Sequence, residues 1–497
     1  MTALRLAAVF TDHMVLCRRK EIRLFGEADD GRHVTATLNG HTARATARDG
    51  RFLLALPPME AGGPYELTVT DGETTLRFAD VLVGDVYLAG GQSNMELELQ
   101  NADNGKAVAA TASNDSIRFY NTLKQPFWDE QADALERQTR WKAVSPGGCL
   151  DVSAVAYHFA VQMQAKLGVP VGIIDCYWGG TMAACWLDDA TLRKTAEGQL
   201  YLAEYAAATA GKTDIDYDAE NERFQANLDA WNAAVAKVRD EHPGIVWDDI
   251  AAIVGPCPWC PPMGRKSAFR PGGLVETMLK RVAPYTLTAI LYYQAESDDI
   301  HPERYEALMH SVIWLWRRLF MEERLPFAFV QLPMYAEKSN SGNESWPMLR
   351  LTQERVHQAL RDTAMIVLID YGEFGNIHPT DKLTVGTRLY QQVLKLVYGE
   401  DLHADSPRVI AKRAEDDVLV LTTDAPVLCR EGAPRLLEVA GADGRFAAAE
   451  ATVAGCELRV CAGGVPEPTQ ARYAWVDYAV VNLFGENGMP LAPFWVK

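Results

Sequence analysis

The sequence predicts an α/β core, a parallel sheet covered by helices, with a β-rich, sandwich-like region at either end. Three patterns carry this. Short segments of alternating apolar and polar residues, parted by Gly-containing turns, fill positions 1–80. From 81 to 404, apolar runs alternate with stretches of helical period. From 405 to 497 the short-strand pattern returns.

In the first region, 33–38 and 65–70 read as strands of period two. Asp29-Asp30-Gly31, Asn39-Gly40, Asp49-Gly50 and Asp71-Gly72 read as turns, because Gly and Asn tolerate the positive φ that tight hairpins need. The central region has strands at 81–89, 169–174, 287–293, 327–332 and 365–369. Helical periods lie at 155–167, 305–320 and 385–398. A charged, Ala-rich stretch at about 188–245 reads as inserted helices outside the core. In the last region Asp443-Gly444 and Gly463-Gly464 mark turns.

At 497 residues the chain is too long for one core, and three units are expected: 1–80, 81–404 and 405–497. With 48% apolar and 23% charged residues it has a soluble globular composition. A net charge of −18 argues against nucleic acid and anionic membrane as partners, since both demand clustered cations. No apolar run is long enough to span a bilayer. The apolar stretch 4–10 is followed by no small-residue cleavage site, and the nine cysteines are odd in number and scattered; a reducing cytoplasm is the expectation. An oligomer stays open.

The most informative segment is Gly90-Gly91-Gln92-Ser93-Asn94-Met95. A buried strand that ends in two glycines and then presents a serine exposes a nucleophile where open α/β sheets collect ligands. A serine hydroxyl needs a base, most often histidine. His378, in a Gly-rich loop after the last apolar strand, is the best of ten histidines; His242 and His301 are rivals with the same His-Pro dipeptide and read as structural. Two further strand-end loops complete the pattern. Trp178-Gly179-Gly180-Thr181 offers backbone N–H groups for an oxyanion. Gln294-Ala295-Glu296-Ser297 offers an amide donor and a carboxylate.

These blocks, Gly91-Gln92-Ser93-Asn94-Met95, Trp178-Gly179-Gly180-Thr181, Tyr293-Gln294-Ala295-Glu296-Ser297 and Asn376-Ile377-His378-Pro379, resemble those of sialate O-acetylesterases, within the SGNH/GDSL hydrolases. The likeness runs from Phe10-Thr11-Asp12-His13-Met14 to Pro490-Leu491-Ala492-Pro493-Phe494. It implies a flavodoxin-like SGNH core and a serine esterase acting on O-acetylated mono- or oligosaccharides, with no metal or organic cofactor. Ser93 would be the nucleophile and His378 the base. The oxyanion hole would be the Ser93 amide, Gly179 or Gly180, and Gln294.

Two positions depart from the family pattern. The superfamily places an Asp three residues before the histidine; here that position is Gly375. Either a Ser-His dyad operates or an acid comes from elsewhere, with Glu296 the first choice and Asp370 and Glu373 behind it. The family also has Gly where this chain has Ala295, so Ala295 is expected to have negative φ.

Three other readings stay open. The acetylated sugar could belong to a plant glycan such as xylan, mannan or xyloglucan. The chain could be a non-catalytic glycan binder using Trp475, Phe484 and Trp495 as stacking faces. Cys257-Pro258-Trp259-Cys260 has the spacing of a redox pair or half a zinc site, with a structural loop preferred.

Overall fold

One strand, β1 (Thr75–Gly91), ties the N-terminal region to the core. Its first half alternates between exposed and partly buried residues, and its second half is buried without a break. That is the change expected where a strand leaves a half-solvated antiparallel sheet and enters a parallel sheet covered on both faces. The computed structural model describes residues 4–242, 245, 247–337, 342 and 344–497.

On the N-terminal side, β1 pairs antiparallel with Gly62–Thr70, which pairs with His33–Leu38, which pairs with His41–Thr46. A second sheet joins Arg5–Leu6, Ile22–Glu27 and Arg51–Leu56. The 38–41 hairpin closes through Asn39 and Gly40, both at positive φ, as a two-residue primed turn requires.

The core sheet adds β2 (Asn114–Asn121), β3 (Val171–Tyr177), β4 (Ala289–Tyr293), β5 (Phe327–Val330) and β6 (Thr363–Ile366). Their order is β2-β3-β1-β4-β5-β6, all parallel, with the short strand Trp141–Val144 antiparallel on the β2 edge. Leaving out the extra strand β2, this is the 2-1-3-4-5 doubly wound arrangement, whose switch point lies between β1 and β4. The register sets three strand ends level: Tyr177 and Tyr293 both pair with Gly91. The loops that leave these residues therefore open onto one crevice.

Helices α1 (Ser93–Glu96), α2 (Ala154–Leu167), α4 (Tyr305–Leu319), α5 (Ser345–Ala359) and α6 (Lys382–Tyr398) cover the sheet, while α3 (Asp214–Glu241) belongs to the insertion. α2 and α6 cross closely at Gly386, where a Cβ would sit 2.7 Å from the Cβ of His158. The inserted α3 starts on a Thr213–Asp216 capping box and has a small core of its own, Val235, Val238 and Ile250.

The C-terminal region forms two four-stranded sheets and one two-stranded ribbon. The fully buried Arg350 of α5 is anchored there, donating to the carbonyls of Ala474 (3.2 Å) and Val476. Trp475 and Phe484 are buried; Trp475 packs edge-on against Trp495 at 4.9 Å. Of the three rings considered as sugar platforms, Trp475 and Phe484 are thus consumed by packing, and Trp495 is half-buried.

Candidate active site

Two glycines end β1 for two different reasons. A Cβ at Gly90 would meet the Trp316 ring at 2.6 Å, and one at Gly91 would lie 2.0 Å from the Tyr293 carbonyl oxygen. Gly91 also has φ of +131°. The chain then turns into α1, with Gln92 N–H donating to the Tyr293 carbonyl (3.0 Å) and Ser93 standing first in the helix.

Ser93 Oγ lies 2.7 Å from Nε2 of His378, 285 positions away in the chain. The imidazole is held by its loop. Asn376 Oδ1 accepts from the His378 amide (3.1 Å), and Glu373 accepts from Asn376 Nδ2 (2.8 Å) and the Thr380 amide (3.1 Å). Burial, aided by the positive charges of Lys382 and Arg239, pushes the His378 pKa down to about 4. The ring is therefore neutral at pH 7 and able to accept the serine proton.

The three carboxylates considered for His378 all bond elsewhere. Glu296 is buried and accepts from Asn94 Nδ2 at 2.6 Å. Asp370 forms a two-point pair with Arg388, 2.6 and 2.8 Å. Glu373 braces the loop. Among the described residues, no hydrogen bond reaches Nδ1 of His378. The superfamily's Asp position, Gly375, has φ of +72° and an amide bonded to Ala336 (2.9 Å), a left-handed backbone that glycine adopts without strain. His301 lies 3.9 Å from Glu204 and 3.5 Å from Glu303, on the acidic loop before α4, and His242 caps the exposed end of α3.

Ala295 corrects an expectation. Its φ is +155° and its ψ −16°, so the methyl sits on a backbone that favours glycine. The turn swings Glu296 back, where its Oε2 accepts from the Ala295 amide (3.1 Å).

The oxyanion donors are unequal. The Ser93 amide makes no hydrogen bond among the described residues. The Gly179 amide donates to Glu96 Oε2, and the other oxygen of that carboxylate accepts from Lys124. Gln294 is 1% exposed, and its amide nitrogen donates to Gln92 Oε1 (3.2 Å), the Thr181 carbonyl (3.3 Å) and Asp298. Gly180 has φ of +74°, and a Cβ there would strike Trp259 at 2.4 Å.

Three participants escaped the sequence reading: Asn94, Glu96 and Lys382. Asn94 Nδ2 also donates to the Ile377 carbonyl (2.9 Å), and its Oδ1 accepts from Lys382 Nζ (2.6 Å). Asn94 thus joins the serine turn, the Glu296 turn and the histidine loop. Its place next to Ser93, and that of Lys382 four residues after His378 at the start of α6, were the available signals. Burial pushes the Glu296 pKa up and that of Lys382 down to about 7.

All nine cysteines are free, Cys257 and Cys260 among the exposed ones. Among the described residues no group of three or more His, Cys, Asp or Glu is arranged to hold a metal, and no helix is long and apolar enough to cross a membrane.

The geometry agrees with the comparisons. Residues 83–247 match the family described as carbohydrate esterase, sialic acid-specific acetylesterase. The chain is 25% identical to the sialate O-acetylesterase of Mus musculus, over 89% of this chain and 83% of that one. It is 24% identical to that of Pongo abelii, over 99% and 92%. Among solved structures, a carbohydrate acetylesterase from Xanthomonas citri superposes with a TM-score of 0.77 at 27% identity, covering 99% of both chains.

Proposed function

We propose, on the premise that the chain belongs to the sialate O-acetylesterase family of carbohydrate esterases, that it releases acetate from an O-acetylated sugar through a Ser93–His378 pair. The observation that carries this reading is the 2.7 Å contact between Ser93 Oγ and His378 Nε2 at the level of three strand ends.

His378 Nε2 takes the hydroxyl proton as Ser93 Oγ attacks the acetyl carbonyl. The developing oxyanion is held by the Ser93 amide and by a donor of the 178–181 loop: the Gly180 amide, which makes no hydrogen bond among the described residues, or Gly179 once Glu96 turns toward Lys124 alone. The imidazolium protonates the departing sugar oxygen. Water, deprotonated by the same ring, attacks the acetyl-serine carbonyl, and Ser93 leaves with the proton returned. Glu296 serves by positioning, through Asn94, rather than by touching the ring. Gln294 serves by buttressing the Thr181 turn.

Nine unpaired thiols support a reducing compartment as the working location. An acetate-release screen tests the reading across O-acetylated sialic acids and acetylated xylo-, manno- and xyloglucan oligosaccharides. Turnover of at least one acetylated sugar that vanishes in Ser93→Ala supports it. Absence of acetate release from every sugar ester defeats it.

A further inference from the structure

The inserted segment carries an exposed aromatic to the mouth of the site. Residues 256–262 contain four prolines, each fixing φ. The segment is tied at both ends. Trp231 Nε1 on α3 donates to the Gly255 carbonyl (3.0 Å), and Lys212 Nζ donates to the Met263 carbonyl (3.1 Å). At its tip the Trp259 amide donates to the Cys257 carbonyl (2.8 Å).

Trp259 is 52% exposed. It is nonetheless fixed in place: Phe269 meets it edge-on at 5.3 Å and 89°. Its six-membered ring lies against Gly180, so closely that a Cβ there would be 2.4 Å from Cη2. The neighbouring Gly179 abuts the nucleophile, its Cβ position 3.3 Å from the Cβ of Ser93. The indole therefore stands one residue farther along the same loop from the reacting hydroxyl. A large aromatic that is held rigid and left half bare beside a catalytic serine is a surface for a ligand.

We propose that Trp259 is a stacking platform for the pyranose ring that carries, or neighbours, the acetylated hydroxyl. The apolar C–H face of the sugar lies on the indole while the acetyl group reaches Ser93. The proposal rests on the carbohydrate-esterase reading given above. It assigns to this one side chain the discrimination between a sugar ester and a simple ester. Phe269, the prolines and the two tethers hold the platform, and Gly180 gives it room.

The test compares two probes, a methyl pyranoside tetraacetate and ethyl acetate, which has no ring to stack. In Trp259→Ala, kcat/KM for the sugar ester is expected to fall at least tenfold more than for ethyl acetate, chiefly through KM. Trp259→Phe is expected to recover most of that ratio. Binding of the tetraacetate to Ser93→Ala, measured by calorimetry, is expected to weaken at least tenfold when Trp259→Ala is added. Equal losses on both esters, or unchanged binding in the double variant, overturn the platform while leaving the esterase reading intact. A wild-type protein that hydrolyses ethyl acetate and no sugar ester overturns both.

Discussion

Glu296 accepts a 2.6 Å hydrogen bond from Asn94, and Asn94 in turn reaches the carbonyl of Ile377, the residue before His378. The acid of the Gln-x-Glu turn thus acts on the backbone that presents the imidazole. Glu296→Gln keeps the acceptor oxygen for Asn94 and removes the charge. It is expected to lower kcat tenfold or less, whereas His378→Ala lowers it by about 10³ or more. Equal losses in the two variants, measured on one acetylated sugar, would restore Glu296 to a triad.

The pH profile follows from the imidazole. Its pKa is held down to about 4 by burial and by the charges of Lys382 and Arg239, so the acid limb of kcat/KM is expected well below the ordinary histidine value of about 6.5. Lys382→Met removes a neighbouring cation and should move that limb upward. Lys382→Arg keeps the charge and should leave it near its wild-type position. A limb that ignores both substitutions would show that His378 is not the titrating base.

Ala295 carries a methyl group at φ +155° in a fully buried turn. Such backbone costs on the order of 1–3 kcal/mol. Ala295→Gly relieves it and loses only one methyl, so chemical denaturation should show stability equal or higher. Ala295→Val adds branching to a forbidden backbone and bulk to a closed space, and should cost about 2 kcal/mol or more.

Asp298 is buried beneath the same turn. Its Oδ2 accepts from Gln294 and from the Ala183 amide (3.0 Å), while Oδ1 has no hydrogen-bond partner among the described residues. Burial raises its pKa to about 7. A carboxyl whose folded pKa exceeds its unfolded value of about 3.9 favours folding most at low pH, and that contribution is lost as pH rises from about 4 through 7. Asp298→Asn should remove this slope. Its thermal midpoint relative to wild type should be higher at pH 8 than at pH 5, and a constant difference would contradict the assignment.

How much of this was legible in the sequence follows from how local each cause is. The strand ends at Gly91 and Tyr293 were readable because apolar runs stop at glycine or polar residues, and chain order then implies one crevice; the strand read as 169–174 runs on to Tyr177. Ser93 and His378 were readable because their chemistry is scarce and both follow such strands. The fate of Glu296 was not, because it depends on a partner 202 positions away. Nor were the engaged donors Gly179 and Gln294, since a glycine-rich loop looks the same whether its N–H faces a substrate or Glu96. The positive φ of Ala295 ran against its residue type: propensity argues for glycine there, and the packing around the turn overrode it. The Pro-rich run at 256–262 read as a structural loop, and only its folding back onto Gly180 shows that it borders the site.

The claim on which all else depends is that Ser93 is acylated with His378 as its base. The most direct measurement is intact-protein mass spectrometry after treatment with a phosphonylating serine-hydrolase reagent, followed by peptide mapping. The expected result is one adduct, on the peptide bearing Ser93, absent in Ser93→Ala and slowed by about 10³ in His378→Ala. Undiminished labelling and acetate release in Ser93→Ala would contradict the account.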